Sequence, residues 1–161
     1  MTEKEKKMKA RIAVLLICFV TLPAYAANPP DFSGRWVFNP GKSKNIGMMS
    51  DMKLTETVKQ SPASVDVATE VTFQGNNQQT TTHYDLTGKA AANDSPMAGP
   101  SETVSKWEGE KLVATWTSVG AVAATKTVRT EIWSLSPDGK TMTVESVRGS
   151  NPPVVMVFDK K

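Results

Sequence analysis

Ser64-Val65-Asp66-Val67-Ala68-Thr69-Glu70-Val71-Thr72-Phe73 decides the fold class. Val65, Val67, Thr69, Val71 and Phe73 fall on one side of an extended backbone, and Asp66, Ala68, Glu70 and Thr72 on the other. That period of two marks a strand with one buried and one wet face. Similar runs lie on both sides of it. Upstream are 35–38 and Lys53–Gln60, the latter ending at Ser61-Pro62, and downstream Gly75-Asn76-Asn77 turns the chain into 78–86. Residues 87–100, rich in Gly, Ala, Asn, Ser and Pro, read as a loop. Then 102–107 and Lys111–Val119 flank Glu108-Gly109-Glu110, and 125–135 and 141–148 flank the hairpin signal Pro137-Asp138-Gly139. Residues 154–158 close a series of about nine strands.

No segment sustains an apolar period of 3.6, and Thr and Val dominate, as suits a pleated surface. Short connections make antiparallel neighbours of successive strands. Such strands close or stack to bury one face and hide their edges. The sequence therefore predicts an all-β domain, a single antiparallel up-and-down β-barrel of about eight to ten strands. A two-sheet sandwich is the competitor, but it needs longer crossovers, and only 39–51 and 87–100 are long enough.

The N-terminus reads differently. Lys4, Lys6, Lys7, Lys9 and Arg11 precede the uncharged apolar run 12–22, followed by Pro23 and Ala24-Tyr25-Ala26. This is the pattern of a secretory signal peptide over residues 1–26, with translation starting at Met1 or Met8. The apolar run is shorter than the roughly 20 residues a membrane span needs, so no stable anchor is expected after cleavage. Cys18, the single cysteine, lies inside that run and leaves with it, so a mature chain of 27–161 has no disulfide and no thiol chemistry. Of 19 basic and 16 acidic residues, five and two fall in 1–26, leaving 14 of each. A neutral mature domain does not carry the basic footprint of a nucleic-acid binder.

Asp31-Phe32-Ser33-Gly34-Arg35-Trp36 resembles the Gly-x-Trp opening of lipocalin and wider calycin barrels. Asn39-Pro40-Gly41-Lys42-Ser43-Lys44 is similar to an extension in secreted bacterial lipocalin-like proteins, and the 133–144 segment resembles their last long hairpin. The resemblance implies a lipocalin-like barrel over 27–161 with a short extended N-terminal arm. It also implies that Trp36 closes the narrow end under a late-strand arginine. Arg148 is the first candidate for that role and Arg129 the second.

Trp133, if inward, puts Arg129 and Glu131 on its face, a pair suited either to orienting a polar ligand head or to a structural ion pair. Tyr84, Trp107 and Trp116 are candidate pocket aromatics, as they are candidate core. Met48, Met49 and Met52 suggest a flexible lid or, since thioethers are soft ligands, a copper site to which only His83 adds a nitrogen. With one histidine and no recognisable nucleophile or metallohydrolase motif, no enzyme and no cofactor are expected. The reading is a secreted or periplasmic non-enzymatic binding protein for a small, mostly apolar ligand. The alternatives are a copper or stress-related module built on the methionines and a packed barrel serving protein interaction.

Overall fold

Along each strand of this chain every second side chain points to a common interior, and the computed structural model shows how that interior is enclosed. It describes residues 29–95, 99–119 and 125–161; the segment expected to be the signal peptide lies outside them. The strands are β1 (Gly34–Phe38), β2 (Lys53–Gln60), β3 (Ser64–Phe73), β4 (Asn76–Asp85), β5 (Ala91–Ser95), β6 (Gly99–Glu108), β7 (Lys111–Val119), β8 (Lys126–Leu135), β9 (Thr141–Val147) and β10 (Val154–Lys160). They form one antiparallel sheet in the order β4-β3-β2-β1-β10-β9-β8-β7-β6-β5. β1 pairs with β2 on one side and β10 on the other, setting Trp36 opposite both Glu56 and Lys160.

The barrel is nearly closed. Its two outer strands, β4 and β5, meet at a seam that a side chain spans. The Asn93 carboxamide accepts from the His83 backbone N–H at 2.9 Å and donates to the His83 carbonyl at 2.8 Å. It thus copies the two-way exchange of a peptide group in an antiparallel ladder. The same nitrogen donates to Thr103 Oγ1 at 3.0 Å, tying the seam to β6. β5 corrects the sequence reading, which left residues 91–95 within a loop. Ala91-Ala92-Asn93-Asp94-Ser95 has no β-branched or aromatic residue, and it is a strand because it pairs with β6, Ala91 opposite Thr103.

One end of the barrel is plugged by aromatic rings. Phe32 is fully buried, stacked on Trp107 at 6.0 Å and edge-on to Trp133 at 6.0 Å. The arm carrying it is held by Gln60, whose side chain accepts from Phe32 N–H and donates to the Pro30 carbonyl. Trp36 is fully buried, and its Nε1 donates to the Phe32 carbonyl at 2.8 Å. The cation over the Trp36 ring is Lys160, with Nζ 5.1 Å from the centroid. Directly opposed residues of an antiparallel pair share a face, which is why the β10 residue opposite Trp36 takes this place. Gly34 makes room for it: at φ +134° it lies where a Cβ would come within 2.9 Å of Lys160 Cε. The expectation for Arg148 is therefore corrected, since Arg148 is exposed just beyond β9. Arg129, the second candidate, lies over a different ring, that of Trp116.

At the other end, the β1–β2 connection folds alongside β10. Lys44 and Val155 exchange backbone hydrogen bonds at 2.9 Å, and Asn39 and Lys42 both bind the Asp159 carboxylate. The connection carries two short 3₁₀ turns, Pro40–Lys42 and Gly47–Asp51, and Ile46 packs against the core.

Removing the Trp36 indole leaves a cavity in the plug. Trp36→Ala is expected to cost about 3–5 kcal/mol, Lys160→Ala about 0.5–1 kcal/mol, and Arg148→Ala less than about 0.5 kcal/mol. Denaturant midpoints of the three variants check this ranking.

Candidate functional site

The polar centre of the barrel grows from four inward positions on three strands. On β8, Arg129, Glu131 and Trp133 are spaced by two and share the inner face. β7 sets Trp116 opposite Arg129, Ala114 opposite Glu131 and Leu112 opposite Trp133. β4 contributes Tyr84 from across the seam. Glu131 is the hub. Its Oε1 lies 3.0 Å from Arg129 Nη2, and its Oε2 accepts from Trp116 Nε1 at 2.9 Å and from the Tyr84 hydroxyl at 3.1 Å. Arg129 also lies over Trp116, its guanidinium carbon 4.7 Å from the ring centroid. A buried carboxylate is tolerated only when paired and hydrogen-bonded, and Glu131 has a charged partner and two further donors.

Glu56 adds a second carboxyl. On β2 it lies between the inward-facing Leu54 and Val58, and it is 92% buried. Burial, and secondarily the charge of Glu131, push its pKa from 4.5 up to about 8. Its Oε2 has no hydrogen-bond partner among the described residues. Burial first, then the charges of Glu131 and Glu56, hold the Tyr84 phenol well above its usual range, so it stays a donor to Glu131. Three more buried atoms lack a partner among the described residues: Ser105 Oγ, Arg129 Nε and Trp133 Nε1. Ser101, Thr103, Ser105 and Ser118 line the inner faces of β6 and β7 with buried hydroxyls.

Of the six residues singled out in the sequence, Tyr84, Trp116, Arg129 and Glu131 come together in this one cluster. Trp133 adjoins it, its ring edge-on to Tyr84 at 5.4 Å. Trp107 stands apart, in the plug beneath Phe32. Glu56 went unread, although its place between Leu54 and Val58 was a signal by period two. Asn93 went unread because its strand did. The methionines lie on or beside the Gly47–Asp51 turn, with Met48 78% exposed. His83 does not join them. It points outward at the level of Asp66, whose Oδ1 it meets at 2.7 Å. Six residues of β3 separate that level from Thr72, opposite Lys53 and next to Met52, a distance of roughly 20 Å. The carboxyl of Asp66 is held below its usual range chiefly by that His83 contact. A cleft of about 470 Å³ follows the β4–β5 seam, lined by Thr80, Asn93 and Ser101 from the inner face and by Gln79, Thr81 and Asp94 from the outer.

No protein-family model and no curated protein matches this sequence. Solved structures do match. A REP1-NXSQ fatty acid transporter superposes with a TM-score of 0.61 at 12% identity, over 80% of this chain and 95% of that one. Human cRBP IV gives 0.62 at 14% identity, over 83% and 100% of the two chains. Apo lipid binding protein 8 of Caenorhabditis elegans gives 0.62 at 13% identity, over 81% and 95%. The fold is a lipocalin-like, calycin-type barrel. At these identities the likeness is one of fold, and the inner residues have to be read from this chain itself.

Glu56 gives the barrel a testable pH dependence. The folded state keeps the Glu56 proton up to a pKa of about 8, whereas the unfolded chain loses it near 4.5. Between those values the folded state binds more protons, so this group lowers stability as pH rises through that window. Glu56→Gln is expected to remove this slope and to raise stability over the parent at pH 9 by about 2–4 kcal/mol. Urea unfolding of parent and variant at pH 5, 7 and 9 checks it.

Proposed function

We propose that this chain is a secreted or periplasmic, non-enzymatic binding protein whose barrel takes in a small, mostly apolar molecule. One observation carries the reading. Four buried polar atoms on inward positions, Glu56 Oε2, Ser105 Oγ, Arg129 Nε and Trp133 Nε1, have no partner among the described residues. Each such atom costs about 1–3 kcal/mol when left unmade, a burden that a purely structural interior has no reason to carry. A guest with an aliphatic or aromatic body and a few polar atoms relieves it.

Glu131, the hub of the polar centre, already accepts from Arg129, Trp116 and Tyr84, which disfavours a role as a general base. The seam cleft offers a route inward, where the wall is closed by one carboxamide instead of a ladder. Fold neighbours named for fatty acid transport and lipid binding support an apolar guest. Export rests on the basic, apolar and small-residue pattern of residues 1–26.

Trp116 and Trp133 report on the interior. Titration with dodecanoate, dodecan-1-ol and dodecylamine below their micelle concentrations is expected to change tryptophan emission saturably, at one molecule per chain, for at least one probe. Flat emission with all three would favour the packed barrel serving protein interaction. Export is checked separately. Expressed with its leader, the protein recovered outside the cytoplasm is expected to begin at Ala27, and an intact Met1 or Met8 terminus on it would overturn secretion with cleavage.

A further inference from the structure

The two outer strands of the sheet are not guarded alike. Sheets protect an edge by keeping it short, by placing charge or proline on it, or by a bulge. β5 is 5 residues long, carries Asp94 and is tied to β4 by the Asn93 carboxamide. β4 is 10 residues long and pairs with β3 in unbroken register, and the chain from Gln74 to Thr82 has neither charge nor proline. The Asn93 clasp shows that the His83 N–H and C=O point away from β3. Both main-chain groups of a residue point the same way in an antiparallel ladder, and the direction alternates along the strand. Asn77, Gln79 and Thr81 therefore aim their N–H and C=O away from β3 too, and among the described residues nothing binds them. A cleft of about 470 Å³ lies between Gln79, Thr80 and Thr81 on one side and Asp94 and Pro100 on the other, so the edge stands open at this level.

We propose that this edge is a dimer interface, at which β4 pairs antiparallel with β4 of a second copy, Gln79 opposite Gln79. The inference does not depend on what the barrel holds. A strand paired with itself about a two-fold axis meets its own side chains in reverse order, so it fits only where no like charges come face to face. Centred on Gln79, the pairing sets Asn77 opposite Thr81 and Gln78 opposite Thr80, carboxamide against hydroxyl. Asn77, Gln79 and Thr81 each exchange both main-chain bonds with the second copy. The clasp fixes this register. A centre nearer the C-terminus needs the main chain of His83, which Asn93 already holds. A centre nearer the N-terminus runs into the turn Gln74-Gly75, whose positive φ angles end the strand.

The flanking charges allow this contact. Glu70 on β3 lies opposite Gln79 and has Arg35 at 4.0 Å. Two β4 strands separate Glu70 from Glu70 of the second copy, about 14 Å at ordinary strand spacing, which is beyond the screening length in physiological salt. Pairing β4 with β4 also closes the assembly at two copies. Pairing β4 with β5 of another copy leaves a free edge at each end and builds a filament. Self-pairing thus satisfies the long bare edge and leaves the short, guarded β5 as it is.

The test is sedimentation of the purified protein, expressed with its leader, over about a hundredfold range of concentration in low-salt buffer. A reversible monomer–dimer equilibrium is expected. Gln79→Lys and Gln79→Glu each set like charges face to face and are expected to weaken the dimer about tenfold or more, while a mixture of the two variants regains it. Gln79→Pro removes an N–H that faces away from β3 and is expected to abolish the dimer with the barrel intact, as judged by tryptophan emission. If that variant unfolds, the two charge variants and their mixture decide alone. Monomer at every concentration, a dimer indifferent to charge at position 79, no recovery on mixing, or oligomers that keep growing with concentration overturns the proposal.

Discussion

The pairing of β1 with β10 is the constraint on which the rest of this structure depends. It joins residues some 120 positions apart in the chain, Trp36 with Lys160 and Phe38 with Phe158. Without it the chain would be two separate meanders, β1 to β4 and β5 to β10, each with an apolar face and two bare edges. With it one continuous ladder runs from β4 to β5. The polar centre exists only because of that junction: Glu56 and Tyr84 belong to one meander, and Trp116, Arg129 and Glu131 to the other. The closing loop is long, so its entropy has to be offset by what it buries. The buried Phe32, Trp36, Phe38 and Phe158 lie on or beside these two strands and supply much of that burial.

A sheet rolled by a single junction still has two edges to hide. Here β4 and β5 approach one another without a regular ladder, and the Asn93 carboxamide substitutes for a peptide group. A side-chain clasp fixes one point, whereas a ladder fixes a line. The seam is accordingly the thinnest part of the wall, and a cleft follows it. The aromatic joint at β1–β10 and the clasp at β4–β5 thus lie at opposite places in the strand order.

Inside, the barrel departs from a simple apolar core. The ion pair of Glu131 and Arg129 is satisfied by aromatic donors that also pack, since Trp116 and Tyr84 give one hydrogen bond each and stand edge to face at 6.0 Å. Glu56 has no such support, and its neutral form is the response of a carboxyl buried near another acid. Fold neighbours whose names refer to fatty acids and lipids share the wall of this barrel.

The sequence by itself determined which face each strand turns inward. Val65 and Val67, Trp36 and Phe38, Trp116, and Arg129 with Glu131 and Trp133 could be placed by alternation, because the side-chain period of an extended backbone is two wherever the strand lies. Chain-order connections of a few residues likewise implied antiparallel neighbours, and so a barrel. Alternation carries no information about height along the barrel or about which strands close it. Those depend on register between segments far apart in sequence, and only the tertiary structure decided them. It put Lys160, not Arg148, over Trp36, sent Trp107 to the plug, left His83 outside with Asp66, and made a strand of Ala91–Ser95. It also brought Glu56 within reach of Glu131, so that two carboxyl groups 75 residues apart became one electrostatic unit.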